Sequence, residues 1–311
     1  MQRLESLGLT TSFIETERVR RLSFKQIQEY FECPACYFGK RIKKTLDKPP
    51  ENESVHIGIF LGGVISQAHS SKKEGLKFKS VADFIGFALY RYADTLLGRE
   101  LEETREFLDS ITPKQKQTVS NLLASYYRDN RNARVLASEK TAEGEIGGGL
   151  VWGRIDQLRE GRDSKGRKVI EIVEMKFNQG PTIENSLQTG IYRYLEEEAS
   201  EIPIVPVIYN LLDRTRYVLE SSSRDLIPEV VQGVRLSINA GFDGAIQEHK
   251  HYLLKKRFGG GEGTPIQFEG WGDLTKSTAW FQAQETFKDA QNKLLAYFAS
   301  CKWKKIDLRE E

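Results

Sequence analysis

Apolar positions change their spacing along the chain, and each change marks an element. Ser23-x-x-Gln26 is a capping-box pattern, and Phe24, Ile27, Tyr30 and Phe31 follow it at helical spacing. This predicts a helix that stops near Cys33-Pro34, because proline disfavours a helical residue before it. After a polar stretch at Pro49 to Glu53, Ile57 to His69 reads as a mostly buried helix containing Gly58, Gly62 and Gly63. Those glycines predict close packing against another backbone. Ser80 with Asp83 starts another helix. Thr112-Pro113 starts one more, with Val119, Leu122, Leu123 and Tyr126 as its apolar stripe. The character then changes to short strand-like runs at Val135 to Ile146, Leu150 to Arg159 and Lys168 to Phe177, the last two joined by the turn Asp163-Ser164-Lys165-Gly166. A helix from about Ile183 to Ala199 follows, then a buried strand from Ile204 to Leu212. Arg216 to Leu219 pairs with that strand through an Asp213-Arg214 turn.

The order helices, three strands, helix, strand predicts an α/β fold. Its central sheet is flanked by helices, with a helical insertion at about residues 80–130. Residues 1–220 form the core on this reading, and 221–311 a C-terminal helical extension. Within the extension Gly259 to Gly263 is a glycine-rich loop, and Ser277 to Lys302 a long closing helix with Trp280, Phe281, Phe287, Leu294 and Phe298. The loop lacks the Gly-Lys-Ser/Thr ending of a phosphate loop and reads as a linker.

Charge sharpens this picture little: 46 basic side chains face 44 acidic ones, for a net +2. That balance excludes a uniformly basic coat but leaves room for a local basic groove. Basic residues cluster at Arg18 to Arg21, Lys40 to Lys44, Lys72 to Lys79 and Lys255 to Arg257. No apolar run approaches the roughly 20 residues of a membrane span, and the N-terminus lacks a signal-peptide core. Three cysteines, Cys33, Cys36 and Cys301, are too few and too unevenly placed for a disulfide scaffold. A reducing cytoplasm is the expected home.

The chemistry concentrates in two strand ends, Gly153-Arg154-Ile155-Asp156 and Ile172-Val173-Glu174-Met175-Lys176. Strand residues alternate faces, so Glu174 and Lys176 point one way and Met175 the other. If the strand of Asp156 pairs antiparallel with that of Glu174, both carboxylates reach one site. A divalent cation there would remove their repulsion, and the backbone carbonyl of Met175 adds an oxygen ligand. Lys176 would then orient an attacking water or offset charge on a pentavalent phosphate. On the following helix Gln188 and Tyr192 lie one turn apart and share a face, placed to hold a phosphate or stack on a base.

The sequence Leu22-Ser23-Phe24 through Cys33-Pro34, then Gly153-x-x-Asp156, Glu174-x-Lys176 and Gln188-x-x-x-Tyr192, resembles the RecB-like branch of the PD-(D/E)XK nuclease superfamily. That branch includes RecB and AddB nuclease domains and CRISPR-associated RecB-like exonucleases. The resemblance spans roughly Leu22 to Leu212. It implies a restriction-endonuclease-like mixed sheet and a Mg2+- or Mn2+-dependent deoxyribonuclease. Such an enzyme is an exonuclease on single strands or free ends, in DNA repair, recombination or phage DNA processing, with a helicase or recombination protein as partner. By the same resemblance Asp156 and Glu174 bind metal, Lys176 is the catalytic lysine, and Gln188 and Tyr192 contact DNA. Two departures bear on this. The family places a metal-binding histidine four residues after a glycine of the glycine-containing helix. Counted from Gly62 that position is Ser66, with His69 one turn later as the substitute. Some relatives close an iron–sulfur cluster with four cysteines, which three cannot do within one chain, so no cluster is expected. The alternatives are a catalytically inactive nucleic-acid-binding module of the same fold and a small-molecule metal-dependent phosphoesterase.

Overall fold

The computed structural model describes residues 21–32, 34–37, 41, 53–70, 76–96, 112–239 and 278–309. The glycine-rich loop at 259–263, Cys33, His249, His251 and the basic run at 255–257 lie outside the described residues, as does the side chain of Cys36. The elements in chain order begin with β1 (Arg21–Ser23), α1 (Phe24–Glu32), α2 (Pro34–Tyr37), α3 (Glu53–Ser70), α4 (Val81–Leu96) and α5 (Pro113–Asn130). There follow β2 (Val135–Ile146), β3 (Gly149–Arg162), β4 (Lys168–Lys176), α6 (Ile183–Glu197), β5 (Ile204–Asn210), β6 (Thr215–Ser221), α7 (Leu226–Asn239), α8 (Thr278–Ser300) and β7 (Lys302–Asp307). The described residues fall into two compact units that interleave along the sequence. One takes 1–50, 143–153 and 223–299, the other 51–142, 154–222 and 300–311.

In the first unit the capping box forms as the sequence dictates. Ser23 N–H donates to Gln26 Oε1 at 2.8 Å, and Gln26 N–H donates to Ser23 Oγ at 3.2 Å. Ser23 also ends β1, which runs parallel to β3 at Leu150 to Trp152. The buried face of α1 carries Phe24, Ile27 and Tyr30. Tyr30 Oη lies 2.7 Å from Ser237 Oγ of α7, and its ring meets the edge of Phe287 of α8 at 5.2 Å. Helices α7 and α8 approach closely at Gly233, where a Cβ would stand 2.6 Å from that of Ala290. The β2–β3 turn uses Gly147 at φ +58°. A Cβ there would meet the Pro228 carbonyl oxygen at 2.5 Å, so the turn needs glycine for conformation and for space.

In the second unit the strands give a mixed α/β sheet. Its strands run β3-β4-β5-β6-β7, with β2 also on β3. Strands β4 and β5 pair parallel, whereas β3–β4, β5–β6 and β6–β7 are antiparallel. A parallel β4–β5 pair needs a crossover, which α6 supplies. The turn before β4 is the expected one: Asp163 Oδ1 accepts from the N–H groups of Lys165 and Arg167. On one face α3, α4 and α5 bury Phe60, Leu61, Val64, Ile65, Phe84, Leu123 and Tyr126 against Val173, Val207 and Tyr209. Each such side chain contributes about 1.5–3 kcal/mol through burial. The 80–130 helices therefore belong to the main core.

Two details differ from expectation. Among the described residues, a Cβ at Gly62 would meet nothing within 4 Å, and one at Gly58 would lie 3.9 Å from the Phe177 Cβ, an ordinary contact. No described backbone packs closely against these two glycines. The chain also ends its described part in β7, a lysine-rich edge strand that the apolar pattern does not reveal. Beside it, the buried Asp129 carboxylate is gripped by Arg214 Nε and Nη2 and by Tyr209 Oη, tying α5 to the β5–β6 turn.

Candidate active site

Strands β3 and β4 pair from Arg162–Lys168 to Gln157–Val173. One residue beyond the last pair, the Asp156 carboxylate accepts the Met175 N–H at 2.8 Å through Oδ2. In an extended strand the N–H and C=O of one residue point the same way, so the Met175 carbonyl faces the gap that Asp156 lines. Glu174 and Lys176, on alternate positions of β4, emerge on the face covered by α6. Lys176 Nζ donates to Glu174 Oε1 at 2.9 Å and to Gln188 Oε1 at 3.0 Å. Gln188 Nε2 donates to the same Glu174 Oε1 at 2.7 Å and to Tyr192 Oη at 3.3 Å. Tyr192 Oη also accepts the Arg154 N–H at 3.2 Å, fastening α6 to β3. The helix that presents Gln188 and Tyr192 is anchored by an N-cap, Thr182 Oγ1 accepting from Asn185 N–H. Five side chains singled out from sequence, Asp156, Glu174, Lys176, Gln188 and Tyr192, thus share one cluster.

The electrostatics of this cluster are unbalanced. Glu174 is only 4% exposed, and among the described residues its buried Oε2 has no hydrogen-bond partner. Burial, followed by the Glu174 charge and more weakly by Glu139, pushes the Asp156 carboxyl well above the usual carboxylate range, against the opposing pull of Lys176 and the Met175 N–H. Burial alone would depress the Lys176 ammonium. The charges of Glu174 and Asp156, with the hydrogen bond to Glu174, outweigh it and hold the lysine protonated beyond its ordinary range. Burial and the Glu174 charge likewise push the Tyr192 phenol up. An acid with one bare buried oxygen beside a second acid short of positive charge is what a hard divalent cation would complete. The donors on hand are carboxylate and carbonyl oxygens, the set Mg2+ and Mn2+ favour, and such ions retain several waters. Among the described residues no three His, Cys, Asp or Glu side chains form a ready cage. The centre therefore fits a cation held by two carboxylates and the backbone.

His69 does not join this group. Its Nε2 lies 2.7 Å from Tyr126 Oη. That hydroxyl accepts from Gln157 Nε2 at 3.1 Å and from Arg159 Nη2 at 3.2 Å. Gln157 and Arg159 alternate with Asp156 along β3, so this network occupies the opposite face of the sheet. Burial, then the Arg159 charge, lowers the imidazole to about 3. His69 is accordingly a neutral core residue. Ser66 is buried at 4% exposure.

Two residues escaped the sequence reading. Glu139, on β2, approaches the site closely enough that Glu174 helps raise its carboxyl, after burial as the larger cause and against Arg154. Arg154 Nε pairs with Glu139 Oε2 at 2.5 Å. A signal for Arg154 was present, since it stands two residues before Asp156 and shares its face. None was present for Glu139, whose place depends on the hairpin register.

No helix among the described residues is long and apolar enough to cross a membrane. Comparison with curated proteins returned no match. A solved structure titled "Crystal structure of SSO0001" aligns over 78% of this chain and 94% of its own at 14% identity. Its TM-score of 0.29 is too low to carry an argument. A family model matches residues 21–301, which take in every described strand except β7. By that match the chain belongs to the PD-(D/E)XK nuclease superfamily, whose members generally cut nucleic acid with a divalent metal such as Mg2+ or Mn2+.

Proposed function

We propose that the protein is a Mg2+- or Mn2+-dependent deoxyribonuclease of the RecB-like branch. It acts as an exonuclease on single strands or free ends, in DNA repair, recombination or phage DNA processing. The observation that carries this reading is Glu174, a buried carboxylate with Lys176 on one oxygen and, among the described residues, no partner on the other. Asp156, Glu174 and the Met175 carbonyl would hold the cation, which when bound supplies Lewis acidity and cancels charge between carboxylates and phosphate. Lys176, kept as an ammonium by its two acidic neighbours, donates hydrogen bonds and does not act as a base. Its part is to orient the attacking water and offset the charge that grows on the phosphorus oxygens. Gln188 binds both Glu174 and Lys176 and so fixes their separation. Tyr192, only 2% exposed, sets the distance between α6 and β3, and Gln188 beside it would meet the strand.

Labelled single- and double-stranded DNA incubated with Mn2+ tests the reading. The expected result is cleavage by the wild type, lost in Glu174→Ala and Lys176→Ala. Binding without cleavage at any metal concentration would instead assign an inactive nucleic-acid-binding module. That rival draws on Ser66 standing where the family has histidine, with His69 engaged on the far face. Hydrolysis of nitrophenyl phosphate without action on DNA would assign a small-molecule phosphoesterase.

A further inference from the structure

The pair Arg154–Glu139 stands beside the carboxylate site and has no part in the steps above. Two residues along a strand span about 7 Å on one face, so the Arg154 side chain leaves β3 about one nucleotide's length from Asp156. Its backbone is fixed, because Tyr192 Oη holds its N–H. Its guanidinium reaches into solvent. The side chain is 69% exposed and, among the described residues, its partner is Glu139. An ion pair this exposed contributes little to folding. Yet Glu139 takes φ +53° within β2, a left-handed conformation that a non-glycine residue holds only where its surroundings enforce it. Stability of the pair does not account for that strain, which turns an acid toward an exposed arginine beside the reacting centre. A carboxylate against the Nε side of a guanidinium occupies a place that a phosphate could take.

We propose that Arg154 is a substrate-binding residue that grips the nucleic-acid backbone at a phosphate next to the scissile one, with Glu139 holding the guanidinium ready until that phosphate displaces it. The inference rests on the nuclease reading and adds a contact to it. The test is fluorescence anisotropy of a labelled single-stranded oligonucleotide on the full chain over a salt series, with Ca2+ in place of Mg2+ so that the strand stays uncut. Arg154→Ala is expected to weaken binding about five- to tenfold. It should also reduce the slope of log affinity against log salt by about 0.7, the loss of one phosphate contact on a single strand. Arg154→Lys should restore the slope but only part of the affinity, because a lysine lacks the planar fork. Glu139→Gln should tighten binding, and that gain should vanish when Arg154 is also alanine. A wild-type slope and affinity in Arg154→Ala would overturn the assignment of Arg154 while leaving the nuclease reading intact. A Glu139→Gln gain that survives without Arg154 would overturn the holding role. Absence of both binding and cleavage in the wild type would defeat the nuclease reading itself.

Discussion

The two faces of β3 and β4 carry buried polar clusters of opposite kind. On the face under α3 and α5, Arg159 donates to Gln157 Oε1, Asn130 Oδ1 and Tyr126 Oη, and His69 closes the group against Tyr126. Its single positive charge is surrounded by neutral acceptors, and among the described residues its one loose end is His69 Nδ1. On the face under α6, acids and a lysine meet, one acid is pushed far up, and a carboxylate oxygen is left bare. Both clusters are buried, so burial does not tell structure from function. What separates them is satisfaction: a network whose hydrogen bonds close on themselves fixes a core, whereas one with surplus negative charge is shaped for something it lacks.

The sharpest test of that contrast replaces one residue on each face. Glu174→Ala should lower cleavage by about 10^3-fold or more while chemical denaturation shifts by less than about 1 kcal/mol, since it removes the charge that opposes ionisation of Asp156. Lys176→Ala should lower cleavage as much but also cost stability, since it removes the cation that offsets both acids. Arg159→Ala should do the reverse of Glu174→Ala. Stranding Gln157, Asn130 and Tyr126 costs about 3 kcal/mol of stability, with less than about a tenfold change in the activity of the protein that remains folded. If both variants lose activity alike at full folding, the two clusters are one functional unit.

Metal binding gives the next largest signal. Saturating Mn2+ should raise the melting temperature by the linkage of a ligand to the folded state, about 2.7 kcal/mol at a hundred times its dissociation constant. Asp156→Asn and Glu174→Gln should abolish the rise, and His69→Gln should keep it. A His69→Gln protein blind to Mn2+ would place a ligand on the wrong face of the sheet. The smallest effect is that of pH. His69 has a folded value of about 3, below the ordinary 6.5, so the unfolded chain binds its proton first. The associated stability is full above pH 6.5 and is lost as pH falls toward 3. His69→Gln should flatten that part of the profile, and the imidazole resonances of the wild type should stay neutral at pH 5.

Much of this architecture was legible because local rules and tertiary fold agree. The Ser23–Gln26 box, the Asp163–Gly166 turn, the α5 stripe and the three strand runs all satisfy themselves within a few residues. Asp156, Glu174 and Lys176 were readable from alternation once their strands pair antiparallel, and Gln188 with Tyr192 from helical spacing. Strand β7 was not, because an edge strand exposes Lys302, Lys304 and Lys305 and shows no apolar alternation. The placing of His69 was out of reach for another reason. Helical phase says which residues share a side of α3, but only packing decides which face of the sheet that side meets. At Gly58 and Gly62 the described residues show no close backbone neighbour, since a missing Cβ does not by itself reveal one.

Strand β3 also couples the two clusters in a way that concerns assembly of the molecule. Its even positions serve one face and its odd positions the other, so a slip of one residue would exchange them all. Asp156 would then press an uncompensated charge into the aromatic pocket of Tyr126, while Gln157 and Arg159 would face the α6 side with nothing to hold a cation. Such a chain would fail to fold at the same moment that it failed to cut. The buried arginine network acts, in effect, as a gauge on the strand alignment that the reacting carboxylates require.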